Sequence, residues 1–272
     1  MEEDVVRLSK ARTDIAVITF SRPRRANAMN QAVLKHLGDI CAEIRGDQTI
    51  KCAVITGEGK IFSSGFDLQE QAEAQPEGVD EWEKLLKADF DGIMSCWDLP
   101  VPTVAAVRGG ALAGGFELML ACDLSVAAEN AVFGEPELKF GAGIVSLLLP
   151  WFVGPKVAKE IIYLGLDSIS AREAHRLGLV NRVVDDEAVM ETALNLAKAI
   201  ASKDDMVVRR TKRAINQTYE IMGLRQALQS NLDVDLQIEG QGSKVKQQFL
   251  TLIREKGLRA ALAWREQQTN DP

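Results

Sequence analysis

Histidine is almost missing from this chain. In 272 residues only His36 and His175 occur, far apart, which argues against a histidine-rich metal site. Cysteine is sparse as well. Cys41, Cys52, Cys96 and Cys122 form no Cys-x-x-Cys pair and each sits in an apolar stretch. They read as small buried fillers in a reducing compartment, not as a disulfide framework. No apolar run is long enough to cross a bilayer: Ile144 to Val153 is the longest, and Ser146 and Pro150 interrupt it. The acidic start lacks the pattern of a secretory leader, so a cytoplasmic location or an equivalent lumen is expected. A basic excess is absent too, with 39 acidic residues against 32 Lys and Arg and a net charge of −7. That argues against a general nucleic-acid or acidic-membrane binder. The one basic run, Arg209-Arg210-Thr211-Lys212-Arg213, reads as a solvated helix face.

What the chain does have is length for one large core, or for a core with a smaller appendage. Its organising stretch runs from Pro102 to Asp123. Thr103 to Val107 is β-branched and apolar, the pattern of a buried strand. Glycines 109, 110, 114 and 115 follow, where the chain must turn tightly or let another group approach its backbone. Phe116 to Ala121 then reads as a buried helix with one carboxylate, Glu117, in its first turn. Unpaired N–H groups and a partial positive charge at such a turn suit an anionic oxygen. Packing of helix on strand, with Glu117 matching the dipole, accounts for the same residues equally well.

Around this stretch, strands are predicted at Val5–Leu8, Ile15–Phe20, Lys51–Thr56, Leu124–Ala128 and Leu179–Val184. Helices are predicted from about Asn30 to Ile44, through the Trp82–Trp97 stripe, and over Lys156–Leu164 and Ala171–Leu177. Ser170 and Glu173 open the last of these as a capping box. Two more loops stand out. Phe62-Ser63-Ser64-Gly65-Phe66-Asp67-Leu68 follows a strand, the usual place for backbone donors that meet a ligand. Phe133-Gly134-Glu135-Pro136-Glu137 uses proline to start a helix and puts Glu137 in its first turn. Gln69 to Gly78 is polar and expected to be mobile. From about Glu187 the strand signal stops and helices follow to the end. The predicted organisation is a core over residues 1–200 and a helical region over 201–272.

Taken together, these loops resemble the crotonase (enoyl-CoA hydratase/isomerase) superfamily across nearly the whole chain. The matching pieces are Ser21-Arg22-Pro23, Asn27-Ala28-Met29, the 62–68 loop, Gly110 to Leu118, Cys122-Asp123 and the 133–137 loop, with Ile169-Ser170-Ala171 and Gly178-Leu179-Val180 beyond. A P-loop is excluded because no Lys-Ser/Thr follows the glycines, and no clean Gly-x-Gly-x-x-Gly is present. The resemblance implies an α/β fold, a spiral of ββα repeats followed by a helical C-terminal region used for trimer formation, with trimers often stacked as hexamers. It implies an acyl-CoA thioester as ligand and no separate cofactor or metal. By resemblance, the backbone N–H groups of Ser64 and Gly114 hold the thioester oxygen. Coenzyme A then runs along Arg24, Arg25 and Ala26 and along Ser64, Gly65, Phe66 and Asp67, with Arg265 a further contact to its phosphates.

Fold and oxyanion site do not fix the reaction within this superfamily. Glu117 and Glu137 fill both positions where its hydratases carry glutamates, which implies addition of water to a 2-enoyl-CoA, Glu137 exchanging the α-proton and Glu117 activating the water. Double-bond isomerisation and thioester hydrolysis stay open as alternatives, as does a non-catalytic CoA-binding or RNA-associated homologue. One departure is plain: Leu138 to Trp151 is shorter and more apolar than the corresponding hydratase loop, at the acyl end of the pocket.

Overall fold

The apolar, β-branched runs form the inner strands of a six-stranded sheet, where both faces are covered and a strand has no polar side to show water, while the two edge strands stay partly or largely exposed. In the computed structural model, which describes residues 5–270, β1 (Val6–Arg12) pairs antiparallel with β2 (Ile15–Phe20). Then β3 (Cys52–Gly57), β4 (Thr103–Val107), β6 (Leu124–Ala128) and β9 (Arg182–Val184) add on in parallel. The acidic residues 2–4, on which the leaderless start was read, lie outside the described residues.

A second set of short rungs makes the spiral. After β4 comes β5 (Gly110–Leu112), and after β6 comes β7 (Val132–Gly134), which pairs parallel with it. On the other side of β5, Ser63 bridges Ala111, and β8 (Ile169–Ser170) closes the small sheet against β7. Each turn of chain thus lays one strand in the large sheet and one rung in the small one, then closes with a helical segment. These rungs are three residues or fewer, too short for an alternation signal, so the sequence reads as loops there.

Helices cover both sheets. Asn30 caps α1 (Gln31–Gly46) by accepting from the Val33 amide at 3.0 Å. The stretch expected to be mobile instead holds α2 (Leu68–Ala74), because the Asp67 carboxylate accepts from the Gln69 and Glu70 amides and Ala72 is buried. The Trp82 stripe is the core face of α3 (Gly78–Trp97). Past β9, the described elements are helical. α8 (Val189–Ala201) lies on the sheet, α9 (Asp205–Ile221) flanks it, and α10 (Leu224–Gln241) packs on α3, giving Leu224, Leu228 and Leu232 to the main core. α11 (Lys244–Lys256) packs on α2, α12 (Leu258–Asn270) packs on α11, and together they build a small second core of Ala72, Phe249, Ile253 and Ala261.

The basic run on α9 is only in part a solvated face: Arg210, Thr211 and Arg213 are exposed, but Lys212 and Arg209 turn inward. Lys212 is buried, and its ammonium donates to the Asp123 carboxylate at 2.7 Å and to the Val101 carbonyl at 3.1 Å. Arg209 donates to Asp205 and to the Ile50 carbonyl. A chain of polar side chains with buried backbone acceptors within reach is drawn inward despite its charge. The four cysteines are free and buried.

Candidate functional site

Three loops leave neighbouring rungs at the same end of the small sheet. Ser63 bridges Ala111, and Leu112 stands opposite Gly134. Residues 64–67, 113–117 and 135–137 therefore emerge side by side. Glycine lets them touch: a Cβ on Gly65 would sit 2.7 Å from the Ala113 Cβ and 3.1 Å from the Gly114 nitrogen, and one on Gly115 would sit 2.5 Å from the Ser63 carbonyl. Ala113 turns the chain into α4 (Gly114–Ala121) at φ 53°, ψ −135°, a conformation that costs an alanine on the order of 1–3 kcal/mol. Helix α4 starts two residues earlier than Phe116, so Gly114 supplies its first free amide.

The Ser64 amide is not available to a ligand. It donates to the Ala26 carbonyl at 3.0 Å, and the Gly65 amide is taken by the Ser63 hydroxyl at 3.2 Å. The amides of Phe66 and Gly114 make no hydrogen bond among the described residues. This corrects the assignment of Ser64: the donor that this loop offers opposite Gly114 is two residues further on. The reason is the left-handed turn at Ala26 and Asn27, with φ of 50° and 51°, which aims the Ala26 carbonyl at Ser64. Asn27 holds that turn, accepting from the Arg22 amide at 2.9 Å and donating to the Glu58 carbonyl at 2.9 Å and the Ile61 carbonyl at 2.6 Å.

Opposite these amides lie three carboxylates. Glu117 stands in the first turn of α4, Glu137 opens a 3-10 turn (Glu137–Phe140) just after Pro136, and Glu135 immediately follows β7. One oxygen from each lies within 4.8 Å of the others. Both oxygens of Glu117 and of Glu135, and one of Glu137, are buried without a partner. Loss of hydration raises all three, Glu137 to about 8 and Glu117 and Glu135 well above the ordinary carboxylate value, and the Glu137 charge raises the other two further. Two influences pull charge toward Glu117: the Ser146 backbone and the N-terminal dipole of its own helix. Carboxylates this close ionise as one system in which the first charge opposes the second, so the cluster holds its protons to higher pH than a solvated glutamate. Among the described residues, this is the one group of His, Cys, Asp or Glu side chains close enough to share a cation.

A cavity of about 90 Å³ adjoins the cluster, bordered by Phe66, Ala113, Pro136 and Glu137 and, further along its wall, by Asp89, Asp235, Glu239 and Lys246. From the Leu138–Trp151 stretch, Phe140, Ala142, Gly143 and Val145 form part of that wall. The stretch is fastened to α10: the Gly143 amide donates to Glu239 at 3.2 Å, and Asn231 donates to the Ile144 carbonyl at 2.7 Å.

The other predicted contacts are placed as follows. Arg24 and Arg25 border an open groove with Arg7, Arg22 and Glu58, and Arg25 reaches Gln69. Asp67 pairs with Arg22 at 2.8 Å besides capping α2, so its carboxylate is committed within the protein. Arg265 donates to the Lys139 carbonyl.

The family model described as enoyl-CoA hydratase/isomerase matches residues 10–257. The chain belongs to the enoyl-CoA hydratase/isomerase family. A solved enoyl-CoA hydratase/isomerase from Xanthobacter autotrophicus Py2 is similar over 97% of this chain and 98% of its own, at 50% identity and a TM-score of 0.95. The crotonyl-CoA hydratase of Syntrophomonas wolfei is 33% identical over 258 residues, 93% of each chain. The short-chain-enoyl-CoA hydratase of Clostridium acetobutylicum is 36% identical over 208 residues, 74% of this chain and 77% of its own. The crotonase fold expected from the loops is therefore the fold of this family. Among the described residues, no helix is long and apolar enough to cross a membrane.

Sequence reading missed Phe66 as a donor, Glu135 as a third carboxylate, and the acidic wall from α3 and α10. Only Glu135 had a signal: Pro136 between two glutamates right after a strand turns the chain enough to bring both acids to one side.

Proposed function

We propose that this protein hydrates a 2-enoyl-CoA. The reading rests on one observation: the unpaired amides of Phe66 and Gly114 belong to residues packed against each other, Phe66 and Glu137 border one cavity, and a buried Glu117 oxygen lies within 4.8 Å of one from Glu137. The thioester oxygen accepts from both amides, which draws electrons from the Cα=Cβ bond. Glu117 takes a proton from water as its oxygen bonds to Cβ. The π electrons move onto the thioester oxygen, where the amides hold the charge as it develops, and Glu137 delivers its proton to Cα. Each such donor is worth about 3–4 kcal/mol in the transition state. Arg24, Arg25 and the Ala26 backbone border the coenzyme A moiety. On α9, the exposed Met206, Val207 and Ile215 support assembly of like chains into a trimer or a pair of trimers.

The test follows loss of enoyl-thioester absorbance with crotonyl-CoA and longer 2-enoyl-CoAs. Glu137→Gln and Glu117→Gln, folded as shown by circular dichroism, are each expected to lose about a hundredfold or more in kcat while still binding acyl-CoA. Wild-type turnover in Glu137→Gln would refute its role. Hydration intact in Glu117→Gln, with only double-bond migration lost, would replace hydration by isomerisation.

A further inference from the structure

The wall contributed by α3, α10 and α11 is unlike a pocket for a plain hydrocarbon tail. Asp235 is 3% exposed, borders the cavity, and has neither carboxylate oxygen hydrogen-bonded. It is also fixed in place, since a Cβ on Gly143 would fall 1.8 Å from its Oδ1. No neighbouring side chain among the described residues donates a hydrogen bond to it. Lys246 is committed to Glu239 and lies 4.7 Å from the centre of the Trp82 ring, and Asp89 accepts only from Gln31, at 3.0 Å. The buried unpaired atoms that border this cavity, from Gln71, Glu137 and Asp235, are all oxygens. Leaving such acceptors unmatched costs about 1–3 kcal/mol each, so the complementary ligand is one that brings a donor. The volume, about 90 Å³, holds on the order of half a dozen water-sized groups, enough for a short acyl chain.

We infer that the acyl group taken by this site is short and carries a hydrogen-bond donor, a hydroxyl or an ammonium, that Asp235 accepts. The inference rests on the acyl-CoA reading above and names its substrate class. A site built around a buried acceptor discriminates strongly against an isostere that lacks the donor, whereas an apolar pocket does not discriminate strongly between them.

Calorimetric binding of saturated acyl-CoAs tests this without requiring turnover. Hexanoyl-CoA is compared with its isosteres 5-hydroxypentanoyl-CoA and 5-aminopentanoyl-CoA, and pentanoyl-CoA with 4-hydroxybutanoyl-CoA and 4-aminobutanoyl-CoA. The wild-type protein is expected to bind at least one donor-bearing member roughly tenfold or more tighter than its alkyl partner, and Asp235→Leu to bring that ratio to about one. Asp235→Asn, which keeps an acceptor oxygen in a side chain of the same shape, guards against a Leu variant that fails to fold. It retains a preference that comes from a hydroxyl and loses one that comes from an ammonium. Equal or tighter binding of the alkyl members in both series overturns the inference, as does a folded Asp235→Leu that keeps the preference. If the preference holds but no 2-enoyl-CoA is hydrated, the hydratase reading falls and this one stands. Hydration of alkyl substrates with no binding preference does the reverse.

Discussion

Replacing Asp89 by Asn should make the protein more stable, and more so as pH rises. Asp89 is buried on α3, with a single hydrogen bond, from Gln31 Nε2 at 3.0 Å. Burial pushes its carboxyl from an ordinary 3.8 up to about 8, and the nearby Asp235 and Glu70 charges push the same way against the Gln31 bond and Lys246. Because the folded value lies above the unfolded one, the folded protein holds a proton that the unfolded chain releases. Stability from this group is complete below pH 3.8 and is lost as pH climbs toward 8. At 1.36 kcal/mol for each tenfold in proton affinity, the loss between pH 5 and pH 8 comes to about 3.5 kcal/mol. Asn keeps the oxygen that Gln31 donates to and has nothing to ionise, so it escapes that loss. The assay is urea unfolding of both proteins at pH 5, 6.5 and 8. The two stabilities should diverge by about 3.5 kcal/mol across the range, with other titrating groups common to both. Parallel pH dependences would refute the reasoning, because they would mean that Asp89 is hydrated and that the acidic wall is not desolvated.

Two further outcomes follow from packing. A Cβ at Gly114 would fall 2.7 Å from the Phe66 ring, so Gly114→Ala displaces both amides of the oxyanion pair, and kcat on a 2-enoyl-CoA should fall about a hundredfold or more with unfolding midpoint little changed. Lys212→Met strands the Asp123 carboxylate, which keeps its bonds from the Thr103 amide and hydroxyl; denaturant unfolding should show a loss of about 2 kcal/mol, less than for a fully buried pair. A stability equal to wild type would make the α9 clamp on the sheet an ornament.

The inner strands of the large sheet were legible because they are buried on both faces and therefore read as continuous apolar runs. The short rungs were not, yet they decide the site, since it is the pairing of Leu112 with Gly134 that brings Glu117 and Glu137 together. Both glutamates stood out in sequence through first-turn placement and loop resemblance. Which amide of the 62–68 loop is free did not, because that depends on the Ala26 carbonyl reaching Ser64, a contact between distant segments set by two left-handed residues without a glycine signal. Asp235 was hidden for a different reason. On an amphipathic helix an aspartate reads as solvent-facing, and only the docking of α10 on α3 turns it inward. Lys212 misled in the same way.

The central claim is that the Phe66 and Gly114 amides converge on the acyl oxygen with Glu117 and Glu137 beside the neighbouring carbons. A crystal structure with a bound, non-reacting acyl-CoA measures this directly. The account predicts the thioester oxygen about 2.7–3.1 Å from both of those nitrogens, with the Ser64 amide still on Ala26. A thioester oxygen held by the Ser64 amide, or out of reach of both Phe66 and Gly114, would contradict it.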